Sequence, residues 1–435
     1  MKNSLASAAR KTFHQSLRNA FSFFPRPVRF AIFRSFADCD ANPDPRLVLK
    51  IAETKEELEA CFRLLHDAYV DSGFMKPDPS GMRVTIYHAL PTTTTLCAKF
   101  DDEVVGTLSL IRESVFGFPL QSIFDLSKVR ARKGKIAEVS ALAVHPKFRK
   151  TGGAILFPLM KFMYDYCTTF FDTRHLVIAV NPNRIEMYES LLFFQRLTEK
   201  QVQSYDFANG APAVGATLDL REVRAQLKRA YGKKKPSKNL YHYFIKLKLP
   251  NIVVPGRRFY TTNDPVMTPE LLNYFFNQRT KVFNNLESNE KALLYSIYNL
   301  PKYAQYLPAG IADSEPGRAA RQHTRYSFKC SGIFDVELAG QRESVEISVV
   351  DCSLHGFLAH ARSPLPTQIW GNAVIRLGPN EQSNVRALAV AAKKDVGFYG
   401  FKLAEPDLVW RKFVSALEAG TTHEDMDNAT RFLVD

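Results

Sequence analysis

The stretch EVSALAVHPKFRKTGGA, residues 138–154, holds in order a short apolar strand, a proline turn, a basic loop and two adjacent glycines. Gly152 and Gly153 precede the apolar segment 154–166, so the loop is predicted to enter a helix whose first turn has free N–H groups. Such an entrance, with Arg149 beside it, binds anions. The pattern predicts a site for a diphosphate or phosphopantetheine group. A glycine pair after a strand is, however, also common in a simple turn.

Length and composition predict a multidomain globular protein. The 435 residues exceed one ordinary core, and 46% apolar with 12% aromatic residues argue against a disordered chain. Six scattered cysteines without a C-x-x-C pair argue against a zinc site, any other metal centre and a disulfide framework. No long apolar run or signal peptide is evident, so we expect a cytoplasmic protein, with peripheral attachment to the inner membrane as an option.

The net charge of +14 is concentrated in two segments. Residues 1–37 contain seven basic residues and no acid, with apolar residues at helical spacing. They predict a basic amphipathic helix on an anionic membrane surface, or else a frayed tail or a docked helix. Residues 221–238 contain eight basic residues and one acid, and predict a surface for acidic lipid or an acidic carrier protein, or a solvated linker. No nucleic-acid polymer is expected, because no reading motif accompanies the charge.

Residues 46–220 alternate strand and helix patterns. A capping box at Thr54 and Glu57 predicts a helix start, and Asp101-Asp102 between two β-rich runs predicts a hairpin. The predicted elements, in order, are strand 46–51, a helix from Thr54 through Tyr69, strands 93–100, 103–111 and 136–144, helix 154–166, strand 175–180 and a short helix through Tyr188. This order predicts an α/β fold, a mixed sheet with helices packed on it.

Four motifs in this region carry a resemblance to a known family. They are LHDAYV at 65–70, VGTLSL at 105–110, EVSALAV at 138–144 and Arg149-x-x-Gly152-x-Ala154. In this order they resemble the N-acyl amino acid synthases, a branch of the GNAT acyltransferase superfamily that is related to the autoinducer synthases. The autoinducer synthases carry an arginine where this chain has Ala141, which argues against homoserine-lactone chemistry.

The resemblance implies a GNAT-like fold and transfer of an acyl group from a thioester to an amine. This reaction needs positioning, deprotonation of the amine and stabilisation of the oxyanion. Glu138 is the candidate base because it is the only carboxylate on its strand; the alternative is a salt-bridged strand-end residue. Tyr188 is the candidate acid for the leaving thiolate, as a tyrosine in this region is in many GNAT enzymes, and ordinary packing is its alternative.

The acyl donor is expected along the central strand and the glycine loop. The strand offers backbone N–H groups, and the loop offers charge and glycine backbone. The expected donor-binding residues are Leu142, Ala143, Val144, Arg149, Gly152, Gly153 and Ala154. The donor is acyl carrier protein or coenzyme A carrying a fatty acyl group, the acceptor is an amino acid, and no prosthetic group is expected.

Residues 239–308 are rich in aromatic residues and helix signals. Thr268 as N-cap and Pro269 at the first helical position predict a helix through Phe276, and residues 286–298 predict a second. The aromatic residues either line an acyl tunnel or pack a core. They are Tyr241, Tyr243, Phe244, Tyr260, Tyr274, Phe275 and Phe276.

The C-terminal third changes to short β runs. The predicted strands are 326–338, 343–350, 356–361, 369–377, 385–392 and 397–403, followed by a helix at 406–417. This pattern predicts a small all-β barrel with a capping helix.

Two motifs of the barrel carry a second resemblance. Arg321-x-x-x-Arg325 is followed about thirty residues later by Asp351-x-Ser353-x-x-Gly356. Together they resemble PilZ domains, which bind cyclic di-GMP. Two guanidiniums suit phosphates and guanine edges, the carboxylate and hydroxyl suit guanine N–H groups, and glycine permits a close approach of backbone.

The sequence as a whole predicts a bacterial, cyclic di-GMP-regulated N-acyltransferase. The alternative is a cyclic di-GMP receptor whose acyltransferase fold binds a lipid or acyl ligand without turnover. The expected organisation is a basic arm at 1–45, a GNAT-like domain at 46–220, a basic linker and helical extension at 221–309, a linker at 310–317, a PilZ domain at 318–420 and an acidic tail at 421–435.

Overall fold

The computed structural model describes most of the chain. The described residues are 24–114, 116–149, 151–171, 173–199, 201–254, 256, 259, 267–298, 301–308, 326–338, 341–361, 363–390 and 398–419. Several predicted features therefore lie outside the described residues. They are the first part of the basic arm, the linker at 310–317, Tyr260, Arg321, Arg325 and the tail at 421–435.

The N-terminal part is a mixed sheet with helices, as the sequence predicts. Its helices are α1 (Arg26–Phe36), α2 (Lys55–Asp71), α3 (Ser127–Arg130), α4 (Leu156–Phe170), α5 (Pro182–Leu192) and α6 (Leu220–Tyr231). Its strands are β1 (Leu47–Ile51), β2 (Thr93–Phe100), β3 (Glu103–Arg112), β4 (Lys135–Val144), β5 (Thr173–Val180), β6 (Gln195–Arg196), β7 (Val202–Tyr205) and β8 (Ala211–Asp219).

Local signals in the sequence explain several of these boundaries. Thr54 caps α2, and the Glu57 side chain returns to the cap, so the predicted capping box is confirmed. Asp101 and Asp102 have φ of 48° and 65°, the left-handed geometry that a tight hairpin between β2 and β3 requires. Two short-range patterns thus determine where α2 starts and where the chain reverses between β2 and β3.

The sheet runs in the order β1-β2-β3-β4-β5-β8-β6, with β7 paired to β8. All neighbours are antiparallel except β4 and β5, which are parallel. The β4–β5 pairing begins at Lys135 and Thr173 and ends at Glu138 and Val177. The remaining part of β4 therefore continues without β5 as its partner, and the sheet opens at this point.

Helix α1 docks on α5. Arg26 pairs with Glu189, and Arg29 lies 2.6 Å from a Glu186 carboxylate oxygen. The Arg34 Nε donates to the Ser190 carbonyl at 2.8 Å. The sequence left three alternatives for the basic arm. In its described part, the structure shows the docked helix.

The basic segment 221–238 is largely helical rather than a linker. Asp219 caps α6 by accepting the N–H of Arg221, and Val223, Leu227 and Tyr231 are buried in the core of the sheet. This apolar stripe explains why the segment folds despite its charge: only the opposite face carries the basic residues.

A helical extension follows and packs on α2 and β2. It comprises α7 (Pro269–Leu272), a π-helical segment Asn273–Arg279, α8 (Ser288–Ile297) and α9 (Pro301–Ala304). Thr268 caps α7 through the Leu271 N–H, as predicted. Phe275 and Phe276 are fully buried beside Phe62 and Phe283. These aromatic side chains pack a core, the second of the two uses that the sequence left open.

The C-terminal part is a closed antiparallel barrel. Its strands are β9 (Tyr326–Leu338), β10 (Gln341–Ser353), β11 (Gly356–Ala361), β12 (Ile369–Arg376), β13 (Gln382–Val390) and β14 (Phe398–Leu403), and α10 (Leu408–Ala419) follows. The barrel closes in the order β10-β11-β14-β13-β12-β9. The predicted six strands and capping helix are therefore confirmed.

Candidate active site

Strand β4 is distorted where it separates from β5. Its pairing with β3 shifts between Thr107 and Ser109, and Ala141 has a φ of 54°, a left-handed conformation that is costly for a residue with a Cβ. The resulting bulge turns the end of β4 away from β5. The residue that replaces the arginine of the autoinducer synthases is therefore the pivot of this bulge.

A cavity of about 480 Å³ lies in the gap between the two strands. On one face it is lined by Met160 and Met163 of α4 and by Tyr188 of α5. On the other face it is lined by Tyr69 of α2 and by Tyr205. Because neighbouring residues of a strand point to opposite faces, the cavity connects the two sides of the sheet through the gap.

Glu138 lies at the point of separation, and its side chain lines this cavity. The residue is 2% exposed and its carboxylate accepts the Leu120 N–H at 3.1 Å. No Lys, Arg or His side chain of the described residues forms an ion pair with it, so the salt-bridged alternative is not found. Burial raises the pKa of Glu138 from 4.5 to about 8, although the Leu120 N–H lowers it.

A carboxyl group with a pKa near 8 can exchange protons at physiological pH. It is uncharged in part of the molecules and ionised in the rest, so it can accept the proton of an ammonium group that approaches through the cavity. The candidate base from the sequence thus occupies a position with the required burial and access.

Tyr188 lies across the gap from Glu138. Its ring packs edge-on against Phe194 at 5.8 Å between centroids, and burial raises the pKa of its hydroxyl. A phenol with a raised pKa keeps its proton and can donate it to a leaving group on the α4 face. Both of the uses considered for Tyr188, packing and proton donation, are compatible with this position.

The predicted donor-binding residues of β4 fall into two groups beyond the bulge. Leu142 lines the cavity. Ala143 and Val144 lie opposite Thr107 and Gly106 of β3. The strand end is thus held to β3 on one edge and faces the gap on the other.

The glycine loop lines a second cavity, of about 520 Å³. Gly152 and Gly153 have φ of 67° and 92° and lead into α4, whose first N–H groups have no side-chain cap. Asp38 and Asp40 form the opposite wall. The structure therefore brings Glu138, Leu142 and Tyr188 together in one cavity, and places Gly152, Gly153 and Ala154 in another.

Arg149 connects the strand end and the glycine loop. Its Nε donates to the Val144 carbonyl at 2.9 Å, and its guanidinium lies 3.8 Å from Asp71 of α2. Much of the side chain stays in solvent. Its direct contacts hold the loop against β4.

Sequence reasoning missed an aromatic group on the Glu138 side of the cavity. Tyr69, Tyr205 and Phe207 line the wall, and the Arg83 guanidinium lies 4.2 Å from the Tyr69 ring centre and 4.8 Å from that of Phe207. Tyr69 belongs to the LHDAYV motif, so the sequence contained a pattern that could have indicated it. Arg83 and Tyr205 lie in loops and short strands without a motif, so nothing in the sequence distinguished them.

The barrel motif lies at the turn between β10 and β11. Ser353 Oγ donates to the Gly356 carbonyl at 3.3 Å, and Trp410 Nε1 of α10 donates to the Ser353 carbonyl at 3.1 Å. A Cβ at Gly356 would lie 2.5 Å from the Phe401 carbonyl oxygen, so the close approach that requires glycine here is to β14. Asp351 belongs to the same strand end.

Neither a metal cluster nor a membrane span is found in the part of the chain that the structure describes. No three His, Cys, Asp or Glu side chains there come together as a metal site requires. No described helix is both long and apolar enough to cross a bilayer.

Comparison with known proteins indicates the activity of the N-terminal module. Residues 60–219 match the family model "N-acyl amino acid synthase FeeM". The cavity, β4 and the glycine loop all lie in this range. This module is an acyltransferase. The family match ends before α6, so the helical extension and the barrel lie outside it.

Solved structures similar to this chain cover only part of it. FeeM, an N-acyl amino acid synthase from uncultured soil microbes, is 26% identical, with 42% of this chain and 96% of FeeM aligned and a TM-score of 0.36. BjaI, a CoA-dependent acyl-homoserine lactone synthase, is 19% identical over 49% of this chain and 95% of BjaI, with a TM-score of 0.36. ElaA of Escherichia coli is 14% identical over 40% and 99%, with a TM-score of 0.27. No curated protein matches the chain.

Proposed function

We propose that the module transfers a fatty acyl group from a carrier thioester to the amine of an amino acid. The observation that carries this proposal is the buried Glu138 in a cavity that passes between β4 and β5. The match of residues 60–219 to the N-acyl amino acid synthases supports the same acceptor class.

The reaction proceeds by attack of the neutral amine on the thioester carbonyl carbon. Glu138 accepts the proton that the ammonium group must lose, and the carbon–nitrogen bond forms as a tetrahedral oxyanion develops. The carbon–sulfur bond then breaks, and the hydroxyl of Tyr188 protonates the thiolate. The products are an N-acyl amino acid and the free carrier thiol. Glu138 and Tyr188 line the same cavity, which supports this assignment of the two proton transfers.

The acyl chain is assigned to the α4 face of the cavity. Met160 and Met163 line that side, and methionine adapts to flexible apolar ligands. The glycine loop at the start of α4, which has no side-chain cap, then holds the phosphate of the phosphopantetheine arm of acyl carrier protein, or of coenzyme A, through backbone N–H groups.

The barrel is proposed to bind cyclic di-GMP and to regulate transfer. Its closed six-stranded form and the Asp351, Ser353 and Gly356 turn agree with the PilZ resemblance. Arg321 and Arg325 directly precede β9, which pairs along its length with the strand that carries Asp351. The first residues of β9, Tyr326 and Ser327, pair with Cys352 and Asp351, and this pairing supports the proposal.

The test is a direct assay of transfer. The purified protein is incubated with acyl carrier protein loaded with C12 to C16 chains and a mixture of the twenty amino acids, and new amides are measured by mass spectrometry. We expect wild type to form N-acyl amino acids, and we expect Glu138→Gln to form them at a rate lower by a factor of about 100 or more. Formation of free fatty acid without any amide would contradict the proposed function.

A further inference from the structure

Beside the aromatic wall of the Glu138 cavity lies a cation, Arg83, that has no anionic partner in the part of the chain that the structure describes. Arg83 is half-buried between the rings of Tyr69 and Phe207, and one of its N–H groups donates to the Phe207 carbonyl at 2.6 Å. No carboxylate of the described residues lies within ion-pair distance of it. A guanidinium has five donors in a rigid fork, and bidentate carboxylates are its preferred partners.

Tyr205 supplies a second group without a partner. Its residue is 4% exposed and lines the cavity, and its hydroxyl has no hydrogen-bond partner among the described residues. A buried phenol in this state costs free energy unless a ligand satisfies it. The charge of Arg83 lowers the pKa of the Tyr205 hydroxyl and that of Glu138 raises it, although burial is the largest cause and the net pKa is raised. The Tyr205 ring stacks on the Phe207 ring at 5.7 Å between centroids, the same ring that Arg83 contacts, and Tyr205 shares the cavity with Glu138.

An amino acid carries its amine and its carboxylate on one carbon. A site for it needs a proton acceptor and a carboxylate-binding group near each other. Glu138 and Tyr205 line the same cavity, and Arg83 lies against the Phe207 ring of its wall. We propose that Arg83 and Tyr205 bind the α-carboxylate of the acceptor and direct its amine to Glu138, so that the enzyme selects free amino acids over amides and simple amines. This inference rests on the proposed function, since it assigns the acceptor subsite of that reaction.

The interaction has a measurable signature in substrate preference. A site that binds a charged group strongly rejects the analogue that lacks it, because the buried partners are then left unpaired. We expect wild type to prefer amino acids over their carboxamides by at least roughly 100-fold in kcat/KM. Removing Arg83 or the Tyr205 hydroxyl lowers this preference and leaves the reaction with the carboxamides nearly unchanged.

The test uses two substrate pools with one acyl carrier protein thioester: the twenty amino acids, and the same amino acids as carboxamides. Tyr205→Phe keeps the ring and is expected to lower kcat/KM for the acids roughly 3- to 10-fold, and Arg83→Met roughly 10- to 100-fold. Arg83→Lys, which keeps the charge, is expected to recover part of the loss. The control is Arg63→Met, an exposed arginine of α2 that pairs with Glu59 and touches no cavity residue named here.

The outcomes separate this inference from the proposed function. Acylation of neither pool by wild type contradicts the acyltransferase itself. Equal use of acids and carboxamides by wild type, or an unchanged preference in both Tyr205→Phe and Arg83→Met, overturns the carboxylate site while the acyltransferase remains. Because Tyr205→Phe removes only an unpaired hydroxyl, its melting temperature should match wild type, and its result holds even if Arg83→Met unfolds.

Discussion

The acyltransferase module keeps an open cavity through its sheet, whereas the barrel fills its interior with its own side chains. In the barrel, the rings of Phe357 and Phe401 stack at 4.5 Å between centroids, and Trp410 of α10 is completely buried. In the module, the bulge at Ala141 separates β4 from β5 and leaves about 480 Å³ beside a buried carboxyl group. The interior of the barrel is thus filled by packed side chains, whereas the sheet of the module encloses a cavity.

The difference shows where each region can act. A cavity with a buried group of raised pKa can carry out proton transfer, and its backbone distortion is the kind of strain found at functional sites. A packed barrel can only bind ligands at its ends, where Asp351 and Ser353 lie. We therefore propose that the open sheet carries out the chemistry and that the end of the closed barrel binds the nucleotide, and the predictions below test that division.

The largest effect is expected at Glu138. Glu138→Gln keeps the shape of the side chain and its position beside Leu120 but removes the proton acceptor. We expect kcat to fall by about 100- to 10,000-fold, the usual contribution of general base catalysis, with little change in donor KM. Steady-state kinetics check this. The control Glu59→Gln, on the far side of α2 in a pair with Arg63, should retain wild-type kcat.

Cyclic di-GMP is expected to change turnover by about 5- to 150-fold, the range of a coupling free energy of about 1–3 kcal/mol, with activation as the expected sign. The barrel brings no catalytic group of its own, so coupling to the module is what makes its presence useful. Titration of the nucleotide into the transfer assay measures this effect. Arg321→Ala and Arg325→Ala should abolish both binding and the response. Tight binding with constant turnover would show that the barrel only localises the protein.

The glycine loop should affect the donor and not the acceptor. A Cβ at Gly152 meets nothing within 4 Å, so Gly152→Val puts its side chain into the open second cavity, where phosphate is proposed to bind. We expect donor KM to rise about 10-fold with acceptor KM unchanged. Gly153→Val is less informative because its Cβ would lie 2.5 Å from the Phe157 ring. Gly81→Val, with a φ of 65° and an added Cβ in ordinary contact with the Arg63 guanidinium at 3.6 Å, controls for backbone strain. An unchanged donor KM in Gly152→Val removes the phosphate site from this loop.

The smallest effect is expected at the membrane. Basic residues near an anionic surface contribute about 1 kcal/mol each, and this falls within a Debye length. Arg26 and Arg29 of α1 are already paired with Glu189 and Glu186, so among the described residues the prediction concerns mainly the exposed face of α6. Binding to vesicles with 30% anionic lipid should exceed binding to neutral vesicles and should weaken from 50 to 300 mM salt. Equal binding to both vesicle types contradicts this prediction.

Features set by neighbouring residues were predictable from the sequence. The capping box at Thr54, the hairpin turn at Asp101-Asp102 and the six barrel strands all depend on short-range patterns, and all are present. The linker alternative for the basic segment 221–238 was wrong for its helical part. The many charges of the segment drew attention away from the apolar stripe of Val223, Leu227 and Tyr231, which is buried.

Features assembled from distant residues were not predictable. Glu138 could be selected as the only carboxylate of its strand, but its raised pKa depends on burial by the sheet and by residues near Leu120. Arg83 and Tyr205 are 122 positions apart and meet only after folding. The separation of the glycine loop from the Glu138 cavity likewise depends on how α4 and residues 38–42 pack.

The pH dependence of kcat in wild type and Glu138→Gln tests the central claim most directly. Burial raises the pKa of Glu138 to about 8, and only its ionised form accepts a proton, so the wild-type rate should rise tenfold per pH unit below that value and level off above it. In Glu138→Gln the residual rate should show no inflection near pH 8, because it depends on the fraction of amine that has lost its proton to water and continues to rise, so that the ratio of the wild-type rate to the Glu138→Gln rate falls from pH 8 to pH 10. A constant ratio across this range, or a Glu138→Gln enzyme as fast as wild type, would contradict a role of Glu138 as the base.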